Sequence, residues 1–290
     1  MGLAEDPALR PGHLTGPLPT FPDSRSTPAL PPANATFISL GPTRRGMVRT
    51  AIQLYSLRSI DEPLPAVLDL VGETSFDGVE FAHRVRDADT EAVLDALDRN
   101  DLAPAAAHVG LDALEDHYGE TTTLYDRLGC DALVVPWLDP EHFESEAAVA
   151  DAAGRLAAVA SDLADDGFDL QYHNHDQEFV PLGDGTAMDE LLASVDDLGF
   201  EIDLGWARAA GADPTALVER YAGRISHAHF ADADAETMAC VELGDGDLDL
   251  EACVDAVRAA DVEWYVYEHD EPGDPRSSLR HGAETLDSFR

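Results

Sequence analysis

The chain has 290 residues, 44% of them hydrophobic, and its 58 acidic against 18 basic residues leave a formal net charge of −40. That length suits one large domain with a sizeable core, and barrels of about 250 residues are common as single units. No apolar run approaches the roughly 18 residues of a membrane-spanning helix, and so acidic a surface repels nucleic-acid phosphates and anionic membranes.

Residues 1–46 are rich in Pro, Gly, Ser and Thr and show neither helical nor strand periodicity. The segment reads as a disordered leader, without the continuous apolar core of a signal peptide. Met47 is the expected functional start. From there strands and helices alternate. Val48–Ser56 reads as the first strand, and Leu64–Thr74 as an amphipathic helix behind Pro63. The second strand is Gly78–Ala82, followed by a helix over Asp89–Asn100, and the third is Leu102–Val109, followed by Leu114–Leu128. Ala132–Trp137 precedes a long helix, Glu146–Asp166, and Phe168–His173 precedes a helix over Ala187–Val195. The sixth strand, Phe200–Leu204, leads to a helix over Pro214–Tyr221. The seventh, Ile225–Phe230, leads to Leu250–Ala260, and the eighth, Glu263–Glu268, to a closing helix, Ser278–Phe289. Eight strand–helix units in this order predict an α/β protein of the (β/α)8 TIM-barrel class over 47–290. An open doubly wound sheet would more often carry a Gly-rich phosphate turn after its first strand, and QLYSLRS contains none.

The later strands end alike. DLQYHNHDQEF brings His173, Asn174 and His175, with Glu178 close behind; FEIDL brings Asp203, ISHAHF brings His227 and His229, and VEWYVYEH brings Glu268. Parallel strands joined by helical crossovers bring their C-terminal ends to one face, where barrel enzymes keep their chemistry. Glu80 and His108 end earlier strands at the same mouth. Asp203, His229 and Glu268, together with His173 or Glu178, would make a mixed nitrogen and oxygen site for one divalent ion, Mn²⁺, Co²⁺, Zn²⁺ or Mg²⁺. The structural alternatives are a helix cap for Asp203, a satisfied barrel histidine for His229, and pairing of Glu268 with Arg208 or Arg276.

The acidic excess contains no lysine, so every basic residue is arginine, a balance like that of proteins from salt-accumulating halophiles. Cys130, Cys240 and Cys253 are far apart with no CxxC spacing, which fits a reduced, cytoplasmic protein with neither a disulfide framework nor a zinc ribbon.

The phrases QLYSLR, FDGVEF, YHNHDQEF, EIDLGWA, ISHAHFAD, VELGDGDLD and WYVYEHDEPGDPRSSL resemble the xylose isomerase-like barrel family of sugar and sugar-phosphate isomerases and epimerases, which also includes inosose dehydratases. The resemblance runs from Met47 to the end. It implies a divalent metal held by residues of the fifth to eighth strands, with Asp203, His229 and Glu268 in three of the usual ligand places. The fourth, usually a glutamate, falls on His173. The family's epimerases use two glutamates on opposite faces of the substrate; here Glu178, as ligand or base, or His175 would take the second place, and an arrangement with a single base on one face would favour aldose–ketose isomerisation or β-elimination over symmetric epimerisation.

The expected reaction is metal-dependent isomerisation or epimerisation of a small ketose, polyol or keto-sugar through a metal-stabilised enediolate. Glu268 is expected as ligand and acid/base, with His175 or Glu178 as the opposing catalytic group. Glu80 and His108 are expected to bind substrate hydroxyls, Asp232 to orient His229 or its neighbours, and Trp137 and Trp206 either to wall the pocket or to pack between helices. Without lysine or a Gly-rich nest, an unphosphorylated substrate is expected. The alternatives are an inosose or dehydroshikimate dehydratase-like lyase on the same metal, and a sugar-binding barrel without chemistry. An abasic-site endonuclease, a further branch of the superfamily, needs a basic DNA groove that this charge contradicts. A homo-oligomer is open by analogy alone.

Overall fold

A computed structural model describes residues 48–290; the leader expected over 1–46 and the start at Met47 lie outside the described residues. Eight parallel strands close into a barrel: β1 Arg49–Gln53, β2 Gly78–Phe81, β3 Ala103–His108, β4 Ala132–Val135, β5 Asp169–His173, β6 Gly199–Asp203, β7 His227–Phe230 and β8 Trp264–Tyr267. Each pairs with its neighbours in sequence, and β1 pairs with β8 to close the ring. This is the expected TIM barrel. Alternate strand residues explain its two packing zones. Ile52, Val79, Phe81, Leu133, Leu170, Tyr172, Phe200 and Tyr265 join the main hydrophobic core with the helices, while Ala51, Ala105, Trp264 and Val266 form a separate small cluster that plugs the barrel.

The helices are α1 Leu64–Val71, α2 Thr90–Asn100, α3 Leu111–Asp116, α4 Tyr118–Leu128, α5 Glu146–Asp166, α6 Ala187–Ser194, α7 Leu204–Ala209, α8 Pro214–Tyr221, α9 Leu250–Ala259 and α10 Pro275–Asp287. Side chains of Asp89, Ser145, Asp213, Asp249 and Asp274 accept from backbone N–H groups of the first turns of α2, α5, α8, α9 and α10. The single helix expected over Leu114–Leu128 is two, because His117, at φ −129° and ψ 30°, leaves helical geometry between α3 and α4.

Several features after the strands were not expected. Helix α7 follows β6 directly, started by the Asp203 side chain, and its close packing depends on Gly205, where a Cβ would lie 2.6 Å from the Ala231 carbonyl oxygen. After β7 the chain forms a small antiparallel ribbon, Asp232–Asp234 with Ala239–Val241. Among the described residues no helix is long and apolar enough to cross a membrane, and Cys130, Cys240 and Cys253 are all free thiols.

Candidate metal centre

Residues two apart on a strand face the same side, so each strand that ends on a site residue also sends an earlier one into the barrel. Gln171 lies beneath His173, Glu201 beneath Asp203 and His227 beneath His229, and all six are buried. The lowest level is closed. His227 Nε2 donates to the Ala105 carbonyl at 3.0 Å, and its Nδ1 accepts from Gln171 Nε2 at 2.9 Å.

Above it, two carboxylates organise three imidazoles. Glu201 Oε1 lies 2.8 Å from His108 Nε2, 3.1 Å from His173 Nδ1 and 3.1 Å from His229 Nε2. Glu80 Oε2 accepts from His229 Nε2 at 2.6 Å and from Gln53 Nε2 at 2.8 Å, and is 3.4 Å from His108 Nε2. The β2–β3 register shifts between Val79 and Glu80, a local irregularity of the kind often found beside active sites.

At the mouth, His229 Nδ1 is 2.7 Å from Glu268 Oε2, and His173 Nε2 is 4.0 Å from the same oxygen. Asp203 Oδ1 accepts from the Trp206 N–H at 2.6 Å, so this residue is both the helix cap and a member of the cluster at the mouth. Asn174 braces it, accepting from the Asp203 N–H at 2.9 Å and donating to its carbonyl at 3.2 Å. One potential donor atom from each of His173, Asp203, His229 and Glu268 lies within 4.8 Å of the others, and the same holds for His108, His173, Glu201 and His229. Asp203 Oδ2 is buried with no hydrogen-bond partner. An unmet buried acceptor costs about 1–3 kcal/mol, and a divalent cation among two imidazoles and two carboxylates would satisfy it. The donor set therefore fits the metal that the sequence implied.

A family model described as a xylose isomerase-like TIM barrel matches residues 68–289. The chain belongs to this family. Among solved structures it is similar to a sugar phosphate isomerase/epimerase from Parabacteroides distasonis, at 18% identity and a TM-score of 0.72, over 85% of this chain and 96% of that one. A probable 3-DHS dehydratase from Bacillus anthracis aligns at 16% identity and a TM-score of 0.70, over 82% of this chain and 98% of that one. The IOLI protein, solved with a binding zinc atom, aligns at 15% identity and a TM-score of 0.67, over 83% and 97%. At these identities the likeness is one of fold. No curated protein matches the chain.

In this xylose isomerase-like barrel, burial is the largest influence on every ionisable group at the mouth. It pushes Asp203 well above the usual carboxylate range, and burial together with the Glu201 charge raises Glu80 to about 7. For Glu268 burial is outweighed by His229, which holds the carboxyl at about 2; for Glu201 it is outweighed by His229 and His108, and the group stays well below its ordinary value. Burial opposes a charge on His229, yet Glu201, Glu80 and Glu268 keep its pKa well above the usual histidine value. His173 is lowered to about 4 by burial and by His229, and His175 falls well below its ordinary value through burial and His173.

His175 stands beside the mouth with its ring 5.1 Å from that of His173 and 4.7 Å from that of Trp137; Trp206 is 5.6 Å away on another side. Its Nδ1 is buried and unpartnered. Glu178 belongs to neither donor set. Its carboxylate accepts from the Tyr172 hydroxyl at 2.7 Å and the His175 N–H at 2.8 Å, because Tyr172 faces the helices while His173 faces the barrel. Asp232 likewise does not orient His229 through its recorded bonds. It accepts from the backbone N–H groups of Ala233, Gly244, Gly246 and Leu248, tying down the loop after β7. Arg208 donates to the Asp247 carbonyl and Arg276 pairs with Glu62, so neither is the partner of Glu268.

Proposed function

We propose that this barrel is a divalent-metal-dependent sugar isomerase or epimerase acting on a small ketose, polyol or keto-sugar. The observation that carries the reading is the convergence of His173, Asp203, His229 and Glu268 from four successive strands, with Asp203 Oδ2 left unpartnered. These four residues would hold the ion, whose chemistry is that of a Lewis acid: it acidifies a C–H between a carbonyl and the adjacent hydroxyl. The other residues have roles set by position. His175, neutral and with a bare Nδ1, takes the proton from one face of the substrate. Glu268, the least buried of the four, returns it or shares it, and His108 and Glu80 hold hydroxyls from below. Trp137 and Trp206 flank His175 and keep water from the transferred proton. Glu268 and Asp270 at the mouth disfavour a phosphate ester, and burial with the Glu268 charge raises Asp270 to about 6. An uncharged sugar is the better match.

One feature supports a second reading. With Glu178 engaged by Tyr172, the bare Nδ1 of His175 is left to act from one face, and a one-sided arrangement suits aldose–ketose isomerisation or elimination of a β-hydroxyl, the reaction class of the dehydratase neighbour. Incubation with a keto-polyol separates the two, since a lyase product has lost water.

The test is elemental analysis of the protein purified in high salt, native and as His173→Ala, Glu268→Ala and Glu178→Ala. About one divalent ion per chain is expected, lost in the first two variants and retained in Glu178→Ala. A native protein that takes up none of Mn²⁺, Co²⁺, Zn²⁺ or Mg²⁺ would sink the enzymatic reading and leave a sugar-binding barrel.

A further inference from the structure

We propose that Glu201 is a positioning residue that determines which ring nitrogen His173 presents to the metal centre. The inference rests on the metal-centre reading above. Its starting point is that three imidazole nitrogens surround one oxygen: His108 Nε2 at 2.8 Å, His173 Nδ1 at 3.1 Å and His229 Nε2 at 3.1 Å, all from Glu201 Oε1.

An ionised carboxylate only accepts hydrogen bonds, so a nitrogen that bonds to it carries its hydrogen there. His173 is thereby held with hydrogen on Nδ1, which leaves the Nε2 lone pair toward Glu268 and the mouth. His229 is fixed differently: its Nε2 donates to Glu80 Oε2 at 2.6 Å, closer than Glu201 Oε1 at 3.1 Å, and its Nδ1 faces Glu268 at 2.7 Å. The two histidines thus use opposite nitrogens toward the mouth, with different acceptors behind them: Glu201 for His173 Nδ1, and Glu80 Oε2 for His229 Nε2. Glu80 does not duplicate the role at His173. It reaches His229 and His108, but the recorded acceptor contacts of His173 are Glu201 on one side and Glu268 Oε2, 4.0 Å from Nε2, on the other. Without Glu201 the nearest carboxylate oxygen to His173 is Glu268 Oε2, 4.0 Å from Nε2, on the side of the nitrogen needed as a ligand. A ligating histidine commonly gives its other N–H to a carboxylate, and loss of such a partner typically weakens metal binding about 10- to 100-fold. What is particular here is that the carboxylate is itself fully buried on β6 directly beneath Asp203 and is shared between His173 and His108.

The experiment reads the tautomer and the affinity separately. Two-bond ¹H–¹⁵N spectra of metal-free protein with labelled histidine, assigned by the signal lost in His173→Gln, are expected to show hydrogen on Nδ1 of His173. In Glu201→Ala it is expected on Nε2, and Mn²⁺ affinity by calorimetry is expected to fall about 10- to 100-fold. Glu201→Gln keeps a carbonyl acceptor, so it should retain the Nδ1–H form and bind Mn²⁺ with an affinity between the other two. A native His173 with hydrogen on Nε2, or a folded Glu201→Ala in which either readout is unchanged, overturns the proposal. If Glu201→Ala does not fold, a Glu201→Gln protein with native Mn²⁺ affinity overturns it. A native chain that binds no Mn²⁺ refutes the metal-centre reading instead, and the tautomer of His173 in the two chains then still decides whether Glu201 sets it.

Discussion

The same eight strands serve two regions with opposite chemistry. Toward the helices they present Val79, Phe81, Leu133, Leu170, Phe200 and Tyr265, all buried and all in one continuous apolar core. Toward the barrel axis the alternate residues include Gln53, Glu80, Gln171, Glu201 and His229, resting on a small plug of Ala51, Ala105, Trp264 and Val266. The outer zone gains free energy from apolar area removed from water. The inner zone takes carboxylates and imidazoles out of water, and its hydrogen bonds only partly offset that desolvation. The lesson is a division of labour by residue parity. The outer half of each strand holds the barrel together, which permits the inner half to be arranged for binding at some cost in stability.

If that division is right, damage to the outer zone should be read in stability and not in metal binding. Leu133 is 0% exposed on β4, away from both donor sets. Leu133→Ala is expected to lower the unfolding free energy by about 2–5 kcal/mol in chemical denaturation, through lost transfer energy and a residual cavity. The folded variant should still bind about one Mn²⁺ per chain. Loss of metal in a folded Leu133→Ala protein would break the comparison.

A second expectation concerns the inner zone alone. Binding a cation requires His229 Nδ1 and the Asp203 carboxylate to be free of protons. Burial opposes a proton on His229, but Glu201, Glu80 and Glu268 hold its pKa well above the usual value; burial likewise holds the Asp203 pKa high. Both shifts have the same sign for metal binding, so affinity should rise with pH, by up to about tenfold per unit for each proton released. Calorimetry with Mn²⁺ at successive pH values near neutrality, in buffers of different ionisation enthalpy, measures the slope and the protons released. An affinity that is flat or falls as pH rises would mean that these groups are not the ligands.

The barrel was legible because its signal is repeated: eight apolar runs in alternation with amphipathic helices leave few architectures. The mouth was legible for the residues that end strands, His173, Asp203, His229 and Glu268. Glu201 was missed although the sequence held the clue. It stands two residues before Asp203, so any reading that turns Asp203 inward turns Glu201 inward too. Gln53 and Gln171 carry the same signal. Glu178 was misplaced for a different reason. It lies in a short turn, Gln177–Phe179, where strand parity gives no direction, and its orientation depends on a tertiary contact with the Tyr172 hydroxyl that spacing alone does not reveal. The bonds of Asp232 to four loop amides are equally a product of how the ribbon after β7 folds back.

The sharpest expression of the contrast is a substitution that should make the metal-free protein more stable while removing its binding. Asp203→Asn keeps an oxygen to accept from the Trp206 N–H and removes a carboxyl whose ionisation burial opposes. The ordinary aspartate value is 3.8 and the folded value lies well above it. The unfolded chain therefore gives up its proton first as pH rises, and this residue's contribution to stability falls from about that pH up to the folded pKa. This is the reverse of a salt-bridged carboxylate, whose contribution is lost as pH falls. Denaturation of metal-free protein across pH 4–8 should show the native chain losing stability relative to Asp203→Asn as pH increases, with the variant the more stable at neutral pH. Mn²⁺ affinity should fall more than about tenfold in the same variant, since a neutral amide replaces a charged ligand. A variant less stable than the native chain at every pH would show that the Asp203 charge is already compensated within the protein, and that the inner zone does not carry the cost assigned to it here.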